Sequence, residues 1–209
     1  MQIELQDDPP PIVRMLGVTL RRSAADPKLG PTLAKMRGVA ALRSATDPQA
    51  ATLRFERGAV RIEAGVAPDA TVVIEADLAT MNDPEPPKPK VTGAARHPQF
   101  ALALGKVLDP PRAPWPDEAR AFWQFAAGHR GMPTAVRVVC TDRAEVVELG
   151  EGAPECELHG TAHRLGVALS GSSVLGEDIL AEHLAFVGEL RHVAVLTGRS
   201  IAYAMGGPR

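Results

Sequence analysis

Four histidines are the residues whose type and spacing come closest to a metal-binding or catalytic pattern. His159 and His163 are four residues apart, the spacing at which two side chains on one helix can share a metal ion. The flanking residues place His159 at a strand end and His163 in the next helix, and no third ligand is evident. His97 and His192 each follow an arginine shortly after a glycine, but acid–base catalysis needs a positioned partner. We therefore predict no metal site and no catalytic residue.

The two cysteines are predicted to be buried thiols rather than nucleophiles or a disulfide. Cys140 and Cys156 lie in segments that alternate apolar and polar residues, as strands do. If strands 135–141, 144–149 and 154–159 form a meander, the outer two lie about 9–10 Å apart. A disulfide needs α-carbons closer than about 7 Å, so we expect none.

A serine-rich turn is the remaining candidate for nucleophilic chemistry. Residues 169–173 read Leu-Ser-Gly-Ser-Ser, which lacks the Gly-x-Ser-x-Gly pattern of a nucleophile elbow. We interpret it as a turn between helices in which Ser172 or Ser173 caps the second helix.

The composition bounds the class of protein. The chain has 209 residues, of which 45% are hydrophobic and 23% are charged, with a net charge of −2. That length suits one large domain or two small ones, and the charge excludes nucleic-acid binding through a bulk positive surface. No apolar run reaches the roughly 20 residues of a membrane span, and no secretory pattern opens the chain. Two cysteines in a chain without a secretory pattern favour a reducing cytoplasm, and 18 arginines among 23 basic residues suggest a GC-rich, bacterial genome. We expect no stable membrane insertion, and the sequence leaves the oligomeric state open.

The periodicity of apolar residues outlines the elements that must position these side chains. The predicted helices cover residues 12–22, 27–37, 77–81, 100–107, 117–125, 161–170, 174–183 and 189–197. The predicted strands cover residues 39–45, 51–56, 59–64, 70–76, 90–93, 135–141, 144–149, 154–159, 184–187 and 201–205. Proline clusters at 84–89 and 110–116 interrupt this pattern, and the second is followed by a helix rich in aromatic residues.

Two short motifs repeat at one separation and predict a degenerate duplication. Thr46-Asp47 and Thr141-Asp142 each follow a predicted strand, and Gly93 and Gly188 each precede Arg-His and a helix. Both pairs are 95 residues apart. We therefore predict a first domain over 1–109, a proline-rich linker with the aromatic helix over 110–130, and a second domain over 131–209.

The order of elements over residues 10–109 resembles the type-two sterol carrier protein family, also called non-specific lipid-transfer proteins. The resemblance rests on residues 33–39, 51–62, 68–78 and 91–93, and a weaker second copy rests on 155–160 and 184–188. It implies an α+β fold with two sterol-carrier-like halves, each a mixed, mainly antiparallel sheet with helices packed on one face. It also implies an apolar cavity between sheet and helices, with no catalytic residue and no cofactor.

The resemblance implies a hydrophobic ligand and directs attention to the side chains that could line its cavity. Residues 83–90, Asp-Pro-Glu-Pro-Pro-Lys-Pro-Lys, replace a helix that commonly covers the cavity in that family, so we expect access there. Phe122 and Trp123 could act as an aromatic gate. The other candidate ligand-binding residues are Met15, Leu16, Met36, Leu78, Met81, Phe100 and Leu104. Apolar helical stripes are also typical of an ordinary core, and that interpretation stays open for each residue.

Three functions are compatible with this reading. The first is non-catalytic binding or transfer of a lipid, steroid, quinone precursor or polyketide, which the absence of a catalytic cluster favours. The second is a natural-product tailoring enzyme, a cyclase or isomerase, that uses the same cavity. The third is an inert interaction module with a filled core.

Overall fold

The computed structural model describes residues Met1–Gly206, which form two compact units divided between Pro111 and Arg112. The first unit contains a six-stranded sheet and the second a four-stranded sheet. Each sheet is mixed but mainly antiparallel and has its own hydrophobic core between sheet and helices. The predicted α+β fold class is therefore confirmed. No helix within Met1–Gly206 is long and apolar enough to cross a membrane.

The first unit places nine elements around one sheet. In chain order they are β1 (Gln2–Leu5), α1 (Pro11–Ala25), α2 (Leu29–Lys35), β2 (Gly38–Ser44), β3 (Ala50–Glu56), β4 (Ala59–Ala64), β5 (Val72–Ala76), β6 (Lys90–Thr92) and α3 (Pro98–Leu108). The strand order is β1-β4-β3-β2-β5-β6, in which β1/β4 and β2/β5 are the parallel pairs. The sequence pattern did not predict β1, a four-residue strand whose partner lies more than 50 residues away.

The core of the first unit is formed by alternate residues of the strands and by one face of helix α1. Leu53 and Phe55 on β3, and Val60 and Ile62 on β4, are buried on one face of the sheet, as their alternation predicted. The β3–β4 hairpin turns at Arg57-Gly58, between the paired residues Glu56 and Ala59. Helix α1 meets the core with residues at i, i+4 and i+8, namely Ile12, Leu16 and Leu20.

The second unit contains the remaining eight elements. They are α4 (Trp115–Ala126), β7 (Ala135–Cys140), β8 (Glu145–Gly150), β9 (Cys156–Gly160), α5 (Ala162–Leu169), α6 (Leu175–Leu180), β10 (Ala185–Val187) and α7 (Leu190–Ala204). The strand order is β10-β9-β7-β8. The aromatic helix α4, predicted as part of the linker segment, packs into this unit's core with the buried residues Trp115, Phe122 and Phe125.

The two sheets share a pattern of strand pairing. In the first unit β2 pairs antiparallel with β3 and parallel with β5, which pairs antiparallel with β6. In the second unit β7 pairs antiparallel with β8 and parallel with β9, and β9 pairs antiparallel with β10. The order β3-β2-β5-β6 thus corresponds to β8-β7-β9-β10. The first unit adds β1 and β4 beyond β3, whereas the second inserts α5 and α6 between β9 and β10.

The two repeated glycines hold corresponding places in this pattern. Gly93 follows β6 and Gly188 follows β10, with φ angles of +83° and +150°. A Cβ on Gly93 would lie 2.0 Å from the carbonyl oxygen of Thr71, just before β5. A Cβ on Gly188 would lie 2.6 Å from the Cβ of Cys156, the first residue of β9. In both units the residue after the final strand of the sheet lies in close contact with the start of the neighbouring strand. Only glycine fits there, because any side chain would overlap that strand.

Two of the predicted elements are wrong. Residues 77–81 form turns rather than a helix, because the Asp77 carboxylate accepts the backbone N–H of Ala79 and favours a turn. Residues 201–205 are not a strand, since α7 continues to Ala204. There Tyr203 packs edge to face against Phe122 and at a tilt against Phe125, and this packing outweighs its β-forming preference.

The predicted meander in the second unit is also wrong, although both cysteines are free and buried. Strand β9 pairs parallel with β7, not with β8, so the two cysteines lie on neighbouring strands. Cys156 is opposite Val136, and Cys140 is four residues further along β7. At about 3.3 Å per residue, this register separates the thiols by more than a disulfide can span.

Candidate functional site: an apolar pocket in the first unit

An apolar pocket of about 210 Å³ lies among α1, the sheet and the C-terminal half of α3. Its walls come from α1, β2, β5, α3 and the segment 77–89. The lining residues are Met15, Leu16, Thr19, Leu42, Ile74, Ala76, Leu78, Met81, Pro89, Gly105, Leu108 and Asp109. All but Thr19 and Asp109 are apolar, so the pocket offers a ligand mainly desolvation, with a few polar groups to orient it.

The fold brings these walls together through a parallel strand pair and one helix face. Leu42 on β2 and Ile74 on β5 are in register, so their side chains stand side by side on the same face of the sheet. Met15 and Thr19 are four residues apart on α1 and therefore share its face. The Thr19 hydroxyl donates to the Met15 carbonyl oxygen at 3.1 Å, which leaves its oxygen lone pairs available as acceptors.

The segment 77–89 closes one side of the pocket without any helix or strand of its own. Leu78, Met81 and Pro89 contribute the side chains that line the pocket. The segment joins the neighbouring antiparallel strands β5 and β6. Its four prolines restrict the backbone and donate no N–H, which accounts for the absence of a regular element there.

The predicted ligand-binding residues fall into three groups in the structure. Met15, Leu16, Leu78 and Met81 line the pocket. Their role in binding a ligand stays a prediction, now with a shared location.

Met36, Leu104 and Phe100 pack in the core of the first unit and are not among the lining residues. Met36 and Leu104 are buried, and Phe100 meets Phe55 edge to face with ring centroids 5.7 Å apart. Their contribution to a ligand site would be to support the walls, as ordinary core residues do.

Phe122 and Trp123, the predicted aromatic gate, belong to the second unit. Phe122 is buried there and meets Tyr203 edge to face, with centroids 5.9 Å apart. Trp123 is half-buried and packs against the same core. Their role as a gate remains a prediction.

Sequence reasoning missed Gly105 and Asp109, which also line the pocket. A Cβ on Gly105 would face open space, with no atom within 4 Å. A glycine inside an apolar helix is the signal that could have indicated it. Asp109 is exposed at the C-cap position of α3, and its carboxylate has no hydrogen-bond or ion-pair partner within Met1–Gly206.

A second, more open groove of about 430 Å³ borders α3 and shares Gly105 and Asp109 with the pocket. Its other lining residues are Leu29, Ala101, Leu102, Lys106 and Pro111. The pocket and the groove therefore adjoin the same stretch of α3.

The histidines have different surroundings within Met1–Gly206. His97 precedes α3 and is exposed, whereas His192 is buried in the first turn of α7, so the repeated histidines have different surroundings. Nε2 of His159 lies 2.9 Å from Glu157. Within Met1–Gly206 no three His, Cys, Asp or Glu side chains are grouped closely enough to hold a metal ion.

The buried His192 lies beside a network of exposed polar groups. Nε2 of His192 is 3.5 Å from the Glu155 carboxylate, which accepts the hydroxyl and the backbone N–H of Thr134 at 2.6 and 3.1 Å. These two hydrogen bonds, with the positive charges of His192 and Arg191, lower the pKa of Glu155. The network ties the start of β7 to the start of β9 and to α7.

The predicted serine cap and the thiols also have structural roles. Val174, not Ser172 or Ser173, occupies the N-cap of α6, and the Ser173 hydroxyl donates to the buried carboxylate of Asp178. Burial, with a smaller contribution from the Glu155 charge, raises the pKa of Cys156 to about 11. A thiol with that pKa is a poor nucleophile at neutral pH.

Comparisons with known proteins add little to this description. No protein-family model matches the chain, and neither does any curated protein. One solved structure, described as "UbiJ-SCP2 Ubiquinone synthesis protein", is 10% identical over 95% of this chain and 96% of that one, with a TM-score of 0.29. So low a score establishes no common fold for the whole chains. The fold and the pocket define the protein as a two-unit α+β protein with an apolar pocket in its first unit.

Proposed function

We propose that the first unit binds a hydrophobic small molecule, such as a lipid, steroid, quinone precursor or polyketide, without chemical change. The observation that carries the proposal is the apolar lining of the pocket beneath segment 77–89. The resemblance of residues 10–109 to the sterol carrier family supports the same class of ligand. Two methionines in the lining, Met15 and Met81, are flexible enough to adapt the pocket to ligands of different shape.

The volume of the pocket sets how much of a ligand it can enclose. An apolar cavity of about 150 Å³ holds a benzene-sized molecule, whereas drug-sized ligands occupy about 300–1,000 Å³. At 210 Å³ the pocket takes one ring or part of an acyl chain. Micromolar affinity, about −8 kcal/mol, needs burial of on the order of 300 Å² of apolar surface, and more after the cost of association. The ligand is therefore expected to extend past Gly105 or displace segment 77–89.

We expect no corresponding ligand site in the second unit. Its counterpart of segment 77–89 is the connection between β9 and β10, which contains α5 and α6. Leu165, Ala168 and Leu169 of α5 are buried in the core against Trp115 and Phe122. We expect one ligand per chain.

Gly105→Leu tests the proposal by adding a large side chain to the lining of the pocket, at a position outside the core. Leucine is a far better helix former than glycine, and the Cβ enters open space, so the variant should fold at least as stably as the wild type. Gly198→Leu is the matched control, because Gly198 is also an exposed helical glycine with no atom within 4 Å of its Cβ, but on α7.

The measurement is a fluorescence titration with the neutral fluorophore 1-aminoanthracene, followed by displacement with fatty acids, fatty alcohols and sterols. The wild type and Gly198→Leu should bind 1-aminoanthracene with a Kd in the micromolar range. Gly105→Leu should bind it at least ten-fold more weakly. If the wild type binds none of these molecules, the proposal is wrong and the interaction-module alternative is favoured. Equal binding by both glycine variants would place any ligand site elsewhere.

A further inference from the structure

We infer that the ligand of this pocket carries a hydrogen-bond donor, a hydroxyl or amine, at its polar end, and that the site discriminates against carboxylates. This inference rests on the proposed function and specifies which amphiphiles the site accepts. The juxtaposition that carries it is an unpaired carboxylate, Asp109, at the edge of an apolar pocket and at the C-terminal end of α3.

Asp109 is the one ionisable side chain among the described residues of the pocket lining. Asp109 is exposed and its carboxylate has no protein partner within Met1–Gly206, so its oxygens can exchange water for a hydrogen-bond donor of a ligand. A hydroxyl or ammonium group can donate to a carboxylate, and such charge-assisted bonds are stronger than neutral ones. A ligand carboxylate has no proton to donate at neutral pH and would meet a like charge.

The end of helix α3 acts in the same direction as Asp109. Leu108 is the last residue of the eleven-residue helix, and both Leu108 and Asp109 line the pocket. The Val107 carbonyl oxygen accepts the Ser23 hydroxyl at 2.6 Å, and the other last-turn carbonyl groups of a helix C-terminus carry a partial negative charge. The polar edge of the pocket therefore combines a full and a partial negative charge.

Lys106 is the charged group that could oppose this preference. It lies on the last turn of α3 and lines the outer groove but not the pocket. Asp109 lines both the pocket and the groove, so it is nearer than Lys106 to the polar end of a ligand whose chain lies in the pocket. Thr19, the other polar residue of the lining, has its hydroxyl proton engaged with Met15 and adds a further acceptor.

A pair of ligands with the same apolar chain tests the inference in the full-length protein. 1-Decanol and decanoate are compared for their ability to displace 1-aminoanthracene at neutral pH. The wild type should bind decanol at least ten-fold more tightly than decanoate, which corresponds to about 1.4 kcal/mol. Asp109→Asn should raise decanoate affinity and reduce the ratio to about three-fold or less. Asp7→Asn removes the same charge from an exposed position of the first unit outside the pocket and should leave the ratio unchanged.

The outcomes separate this inference from the proposed function. Binding of both ligands with decanoate equal to or tighter than decanol refutes the inference but leaves the pocket as a hydrophobic site. An unchanged ratio in Asp109→Asn, or the same change in Asp7→Asn, also refutes it, because the preference would then not come from Asp109. If no ligand binds, the proposed function fails and the inference with it.

Discussion

Gly150→Ala should destabilise the second unit far more than Gly152→Ala, although the two glycines have nearly the same backbone conformation. Their φ angles are +90° and +93°. A Cβ on Gly152 would meet no atom within 4 Å. A Cβ on Gly150 would lie 2.0 Å from the carbonyl oxygen of Thr134 and 2.8 Å from Cζ2 of Trp123, where ordinary contacts begin at 3.4 Å. The pair separates backbone strain from steric overlap.

The expected loss of unfolding free energy depends on which groups each new methyl group displaces. Left-handed backbone costs an alanine about 1–2 kcal/mol, partly offset by the lower entropy of the unfolded chain, so Gly152→Ala should cost about 1 kcal/mol or less. In Gly150→Ala the Thr134 carbonyl must also shift, and it accepts the N–H of Glu151 at 3.2 Å. Weakening that bond, displacing Trp123 and disturbing the Thr134–Glu155 bonds should bring the total to about 3–5 kcal/mol.

Urea denaturation followed by tryptophan fluorescence suits this comparison, because Trp115 and Trp123 both lie in the second unit. With an m-value of about 2 kcal/mol per M, the Gly150→Ala midpoint should fall by about 2 M and the Gly152→Ala midpoint by about 0.5 M or less. The native emission of Gly150→Ala should also shift, since Trp123 must move. Equal midpoints for the two variants would refute the overlap argument and leave backbone strain as the only cost.

Three further predictions concern the second unit. Trp123→Ala should cost about 2 kcal/mol, because the side chain is half-buried in the core; a change in 1-aminoanthracene affinity without loss of stability would instead support the gate. Glu155→Gln should lose less stability than the wild type or the control Glu151→Gln when the pH falls from about 6 to about 3, as measured by urea titrations. The reason is that the pKa of Glu155 is lower in the folded protein than in the unfolded chain. Its carboxylate therefore stabilises the fold at a pH above its ordinary pKa, and this stabilisation is lost as the pH falls and the group is protonated. Cys156, with a pKa of about 11, should react with iodoacetamide at pH 8 at least 100-fold more slowly in native than in urea-unfolded protein; similar rates would contradict its burial.

The local elements could be predicted because their signals lie within a few residues. The alternation at Leu53 and Phe55, and again at Val60 and Ile62, predicted two strands, and Arg57-Gly58 predicted their hairpin. The strand order could not be predicted in the same way. The parallel pairing of β9 with β7 depends on contacts between segments that are separated in sequence by β8. The periodicity of a segment predicts a strand but does not indicate which strand it pairs with.

The candidate site was predictable only in part for a similar reason. Met15, Leu16, Leu78 and Met81 were chosen from the resemblance and from apolar spacing, and these signals do not distinguish a pocket wall from a filled core. Phe100 shows the difficulty, since it has the same helical spacing and packs on Phe55 instead. Nothing in the local sequence around Asp109 indicates a pocket, because its location there depends on where α3 crosses the sheet.

The composition of one connection explains why the pocket is found in the first unit. Both units have a strand pair, β5/β6 or β9/β10, whose connection passes over the helix-covered face of the sheet. In the second unit that connection forms α5, and apolar residues at helical spacing, such as Leu165 and Leu169, fill the core. In the first unit, Pro84, Pro86, Pro87 and Pro89 exclude a helix, so the connection cannot present apolar side chains at that spacing. The space under Leu78 and Met81 is therefore a consequence of the proline-rich sequence.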